Sequence, residues 1–296
     1  MITDIENILK GYFDLHVHAG PSIMDREVDG LEMVGIAKDK GLKAIVLKDH
    51  YFPTAGLAKV LQDHISENRL QVYGGLALNR SVGGLNPKAV EAAIGFGAKF
   101  IWMPTISSKN HIDKHSGHGL KFPGLKKEPD VPEIPIVAVD SNGELIPEAK
   151  EVIDVISRYP NVVLATGHGA REEVNAYIKY AASLGVKKIY VNHPHYMVDA
   201  SLGDLKIWRK FGAYLEFNAV VSVPKSQFYC KPIGEVFNLL TKLGPDHIVL
   251  SSDYGQLGNG SPVDGFMTFI EMLVDEGMDI DAIKQMTHDN PNQLLN

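Results

Sequence analysis

Apolar residues along this chain fall into two patterns that alternate from end to end. Short runs rich in β-branched residues recur: YFDLHVH from Tyr12, KAIVLK from Lys43, QVYGGLAL from Gln71, KFIWMP from Lys99, NVVLATGH from Asn161, KKIYVNH from Lys187, AYLEFNA from Ala213 and HIVLSSD from His247. Between them lie stretches such as PEAKEVIDVISRYP and VDGFMTFIEMLVDEG, whose apolar positions recur at three and four and which end near Gly or Pro. The first pattern predicts strands and the second amphipathic helices. All but one of the intervals between successive runs is roughly 25 to 35 residues, the length of one strand and one return helix. The expected fold is therefore α/β, a (β/α)8 TIM barrel forming one domain over residues 1–296. The exceptional interval follows the fourth run and predicts an insertion at about 105–146: a polar, histidine-bearing loop, then a small β-hairpin turning at Asn142-Gly143. A short helical tail containing NPNQLL closes the chain. An open doubly wound sheet is the competing architecture, but no GxGxxG follows the first run.

Composition narrows the function without choosing it. The 296 residues, 45% hydrophobic, are enough to bury a large core. A formal charge of −7 leaves no basic surface for a phosphate backbone, so nucleic acid is not an expected partner. No apolar stretch reaches the roughly 18 residues of a membrane span, and MITDIENILK does not read as a signal peptide. With one cysteine, Cys230, neither an internal disulfide nor a Cys-rich zinc site is available. The expectation is a cytoplasmic protein acting on a small molecule, with homo-oligomerisation left open.

What remains distinctive is where the histidines fall. In an α/β barrel the C-terminal ends of the strands form one open face. His16 and His18 end the first run, Lys48, Asp49 and His50 the second, His168 the fifth, His193 and His195 the sixth, and Asp253 the eighth. Side chains two apart on a strand share a face, so His16 and His18 can reach one ion. Nitrogen and oxygen donors without thiolate suit Zn²⁺ first, with Mn²⁺, Fe²⁺ or Ni²⁺ as alternatives. His50 shares the face of Lys48 and is a candidate proton donor. Arg26 and Arg80, in loops after the first and third runs, are candidates to grip a substrate carboxylate. In the insertion His111, Asp113, His115 and His118 allow an extra metal site or a substrate contact, His111 first among them; His195 is a further substrate-binding candidate. For all of these a plain structural role is the alternative. Asn86 before Pro87 reads as a helix N-cap, not as part of a phosphate loop.

The order His-x-His after strand one, His after strands five and six and Asp after strand eight resembles the amidohydrolase superfamily of metal-dependent hydrolases, and LKDHYFPT and LNRSVGGLNP resemble its DUF6282 branch. The resemblance implies one or two divalent cations: His16, His18 and Asp253 on the more buried one, His168 and His193 on the second, with Asp253 moving protons. It also implies a bridging anion, and the fourth strand, ending IWMPT, offers none. Lys48, converted to a carbamate by CO2, is the residue available to bridge; a cationic Lys48 holding substrate is the alternative. The implied activity is hydrolysis of an amide, lactone or other ester by metal-activated water. A one-metal decarboxylase of a small carboxylic acid, a phosphoesterase and a non-catalytic ligand-binding barrel are the competing readings.

Overall fold

The computed structural model describes residues 5–67, 69–116 and 130–296. Strands occupy all eight of the expected runs: β1 (Phe13–Val17), β2 (Ala44–Leu47), β3 (Gln71–Tyr73) with β4 (Gly75–Ala77), β5 (Phe100–Trp102), β6 (Val163–Ala165), β7 (Ile189–Val191), β8 (Tyr214–Asn218) and β9 (Ile248–Ser251). The third run is split at Gly74. There the hydroxyl of Thr54 donates to Leu47 O (2.7 Å) and accepts from Gly75 N (2.9 Å), filling the gap in the ladder. Every pairing is parallel, in the orders β1-β2-β3 and β4 through β9. The ring closes where Val17 bridges Tyr254 and where His18 N donates to Tyr254 O and Asp253 N to His16 O, both at 2.8 Å.

Helices pack outside this ring: α1 (Ile5–Leu9), α2 (Gly30–Asp39), α3 (Ala55–His64), α4 (Pro87–Gly95), α5 (Lys109–His115), α6 (Pro147–Ser157), α7 (Arg171–Ser183), α8 (Leu202–Lys210), α9 (Ile233–Leu243), α10 (Pro262–Asp275), α11 (Ile280–Lys284) and α12 (Asn290–Leu295). Their starts follow local chemistry. Asn86 accepts from Lys88 N and Ala89 N ahead of Pro87, and Asp29 with Glu32 forms a reciprocal capping box on α2. Among the described residues no helix is long and apolar enough to cross a membrane.

Inside the ring, Phe13, Leu15, Ala44, Val46, Phe100, Trp102, Val163, Tyr190 and Val249 form an apolar cluster into which α12 inserts Leu294 and Leu295. Strand parity carries this inward face up to the open end: from Ala44 and Val46 to Lys48 and His50, and from Tyr214 to Glu216 and Asn218. β1 breaks parity. Its register against β2 slips between Asp14 and Val17, three steps on β1 against two on β2, so the adjacent Leu15 and His16 both face inward and the inward set runs Phe13, Leu15, His16, His18.

The insertion departs from its expected form. Its histidine-bearing part contains a helix, α5, because Ser107 and Lys109 pair with the returning strand at Ile136 and hold the turn that starts it. The hairpin is reduced to one antiparallel bridge, Val139 to Leu145, with Asp140 Oδ1 accepting from Asn142 N and Glu144 N. His118 lies outside the described residues.

Closure of the ring needs a glycine at 255. Its φ is +119°, and a Cβ there would overlap the carbonyl of His18. Gly255→Ala should lower the melting temperature more than Gly277→Ala does, because Gly277, at φ +98° in open space, meets only the left-handed strain of about 1–2 kcal/mol, to which Gly255 adds the overlap with His18. Thermal unfolding of the two variants checks this.

Candidate metal centre

Five imidazoles line up around the open end of the barrel. Ring centroids are 5.2 Å apart from His16 to His18, 5.1 Å to His50, 5.7 Å to His168, 5.0 Å to His193 and 5.2 Å back to His16. All five are buried. The turns that present them are strained: His193 and Asp253 have φ of +50° and +53°, and Gly167 (φ +63°) lets the backbone before His168 press on Met103 and Pro104.

Three of the rings have the same polarity. His16 Nδ1 donates to Glu216 Oε1 (2.7 Å), His18 Nδ1 to the carbonyl of Lys48 (2.9 Å) and His193 Nδ1 to Asn218 Oδ1 (2.7 Å). Each donation leaves the lone pair on Nε2, the arrangement that outer hydrogen bonds impose on metal-binding imidazoles. Those Nε2 atoms converge on Asp253: its Oδ1 is 3.1 Å from His16 Nε2 and from His18 Nε2, and its Oδ2 is 3.9 Å from His193 Nε2. Burial, with Arg26 next, holds the His18 pKa well below the ordinary value, so His18 is neutral. A neutral His18 whose Nδ1 is committed to a carbonyl therefore turns a lone pair toward a carboxylate oxygen, acceptor against acceptor. A cation between them resolves the contact, and His16, His18 and Asp253 have their ligand atoms within 4.8 Å of one another. His168 fits the same reading: its Nε2 is sealed from solvent with no hydrogen-bond partner. The donors, nitrogen and oxygen only, suit a divalent ion of the Zn²⁺ type.

His16, His193 and Glu216 also lie close enough to hold an ion. Glu216, however, already accepts from His16 Nδ1, Asn192 Nδ2 (2.7 Å) and Ser251 Oγ (2.7 Å). Burial raises its pKa, but His16 and its hydrogen bonds outweigh that, and the group sits well below the usual carboxylate range. It is the support of the site. Glu216 was missed in the sequence, although an acid inside the apolar run AYLEFNA, on the inward parity of β8, is a signal.

Lys48 is buried with Nζ 3.1 Å from His16 Nε2, and burial brings its pKa down to about 8. His50 Nδ1 pairs with Thr105 Oγ1 (2.9 Å), which also accepts from Asn79 Nδ2 (2.6 Å). With Asn79 donating to the threonine oxygen, the threonine hydrogen is available to donate to His50 Nδ1, the pairing that would leave the imidazole hydrogen on Nε2. Above the rings lies a cavity of about 460 Å³ whose lining includes Asp253, His50, Arg26, Lys48, His111 and Tyr196.

The insertion reaches the site through His168. His111 Nδ1 is 2.8 Å from His168 Nδ1, while Ser108 Oγ and Asn110 Nδ2 each donate to His168 O at 3.0 Å. Asn110 also donates to Met197 O, tying in the loop after β7. Two candidates stand elsewhere. Arg80 is exposed and does not line the cavity: its Nε donates to Ile134 O and its Nη2 to Pro135 O, because the insertion passes beside it. His195 is buried against Phe217, ring centroids 4.8 Å apart, also away from the cavity. Asp113 is exposed and paired with Lys109; His115 lines the cavity and its Nδ1 bonds His111 O at 2.7 Å.

The family described as "Family of unknown function (DUF6282)" matches residues 11–216, from the turn before β1 to Glu216. The chain belongs to this family. No curated protein is similar enough in sequence to match it. Among solved structures, it resembles an amidohydrolase from Pseudomonas aeruginosa (13% identity, TM-score 0.62, covering 98% of this chain and 97% of that one). It also resembles a lactonase from Listeria monocytogenes (16%, 0.56, 97% and 95%) and an organophosphorus hydrolase from Deinococcus radiodurans (15%, 0.58, 98% and 93%). At such identity what is shared is the fold: this DUF6282 chain is a (β/α)8 barrel like theirs.

Because Glu216 and His111 each orient an imidazole of the ring, Glu216→Gln and His111→Ala should each weaken divalent-metal affinity about 10–100-fold without unfolding the protein. Competition against a chromogenic chelator, with circular dichroism as the folding control, measures both.

Proposed function

We propose that this DUF6282 protein is a metal-dependent hydrolase of a small molecule, cleaving an amide, a lactone or another ester. The observation that carries the reading is the convergence of His16 Nε2 and His18 Nε2 on Asp253 Oδ1, each at 3.1 Å, in a cavity walled by imidazoles. A divalent cation held there supplies Lewis acidity, making water nucleophilic near neutral pH and polarising a carbonyl or phosphoryl oxygen. His16, His18 and Asp253 are assigned to one cation, and His168 and His193 to a second.

Asp253 Oδ2, the oxygen farther from the imidazoles, takes the proton of the attacking water. His50 presents Nε2–H to the leaving group, the tautomer in which its Nδ1 accepts from the Thr105 hydroxyl. The pKa of His50 is held well below its ordinary value, by burial first and then Lys48, so it works as a neutral imidazole. Lys48 is assigned as the bridge: an amine brought down to about 8 is partly neutral at working pH, and a neutral amine adds CO2 to give an anionic carbamate and a proton. The structural neighbours, a lactonase and an organophosphorus hydrolase, support cleavage of an ester, at carbon or at phosphorus.

Chelation, or the pair His16→Ala and His18→Ala, should reduce turnover of a panel of amides, lactones and phosphoesters by about a hundredfold or more. Turnover that persists in metal-free protein contradicts the reading. Lys48→Ala should lower the metal content from about two ions per chain toward one. Unchanged content and affinity would take Lys48 out of the bridging role and leave it as a substrate-holding cation.

A further inference from the structure

Outside the metal group, the cavity is uneven in charge. Asp253 is the only carboxylate among its described lining residues, and Lys48 lies against His16; the remaining cation of the lining is Arg26. The Arg26 side chain is 4% exposed, carried by the loop after β1, which pairs with the loop after β9 at Gln256. Its hydrogen bonding is thin for a buried guanidinium. Nη2 reaches Asp49 Oδ2 at 3.3 Å and Met24 Sδ at 3.7 Å, Nε is sealed with no partner, and among the described residues no hydrogen bond is made by Nη1.

Asp49 neutralises it only in part. That carboxylate also accepts from Ser22 Oγ (2.6 Å), Tyr51 N (2.8 Å) and Phe52 N (3.2 Å), so its charge is shared among four donors. Five donors on a planar fork, buried with one long contact to an acid, leave room for one further anion. Another part of the wall is apolar: Met24, Met197, Val220, Val221, Pro224 and Phe228. Tyr196 also lines the cavity, and burial together with Asp253 and Glu216 keeps its phenol protonated as a donor.

We propose that the cavity takes a small molecule with a carboxylate at one end and an apolar arm at the other, the carboxylate paired with Arg26 and the arm on the Val220–Val221–Phe228 wall. A single negative charge is what a guanidinium partly compensated by Asp49 still accommodates, which favours a carboxylate over a dianionic phosphate. The inference rests on the hydrolase reading only in calling this molecule the substrate; the pocket itself stands without turnover.

The test is calorimetric titration of the metal-loaded protein with hexanoate, hexanamide, acetate and hexyl phosphate. Hexanoate should bind at least about tenfold more tightly than hexanamide, and more tightly than acetate by about three- to fourfold per methylene until the wall is covered. Arg26→Gln, which can still donate to Asp49, should erase the preference for hexanoate over hexanamide. Arg26→Lys, keeping charge without the fork, should retain part of it. A preference that survives in Arg26→Gln would place the carboxylate on the metal ion and overturn the proposal, as would tighter binding of hexyl phosphate or no gain from acetate to hexanoate. If Arg26-dependent binding is found while no ester, amide or lactone is turned over, the hydrolase reading fails and the carboxylate pocket remains.

Discussion

A single carboxylate in the dry interior of the barrel, Glu216, orders the open end of this molecule. A buried charge is tolerated only when its hydrogen-bonding capacity is filled, and Glu216 is filled by His16, Asn192 and Ser251. The consequences pass upward. His16 is locked with Nε2 outward, and Ser251 Oγ in turn accepts from Asn218 Nδ2 (2.8 Å), whose oxygen locks His193. Two imidazoles on different strands thus take their orientation from one anion, while the carbonyl of Lys48 orients His18 by an independent route. Below this polar layer the interior is apolar, closed by Leu294 and Leu295; above it, the imidazoles face a cavity.

The insertion belongs to the same device. Ser108, Asn110 and His111 grip the backbone and ring of His168, and Arg80 fastens the returning chain at Ile134 and Pro135. Glu173 adds a further tie, accepting from Ala138 N and Ala170 N at 2.7 Å each. The chain just after β5 contributes Thr105, which acts through His50. Strain collects at the same end, in the left-handed backbones of His193 and Asp253.

Much of this was legible in the sequence because a barrel strand carries its inward parity straight to the open face. The runs KAIVLK and HIVLSSD marked both a strand and the residues at its end, and Asn86-Pro87 marked a helix start that the structure contains. The rest depended on contacts between distant segments. The extra residue in β1 that turns both His16 and His18 inward has no local signature, and α5 is set by pairing with Ile136, far along the chain. Arg26 and Arg80 looked alike as loop arginines; which of them faces the cavity was decided by where the insertion passes. Glu216 was hidden by its apolar neighbours, since its partners come from three other strands or strand ends.

The central claim is that His16, His18 and Asp253 meet around a cation. Anomalous X-ray diffraction from crystals of the metal-loaded protein, recorded on both sides of the metal's absorption edge, tests it most directly. A peak is expected bonded to Nε2 of His16, Nε2 of His18 and a carboxylate oxygen of Asp253, with Nδ1 of His16 still on Glu216. Anomalous density confined to surface histidines, with the lone pair of His18 turned away from Asp253, would contradict it.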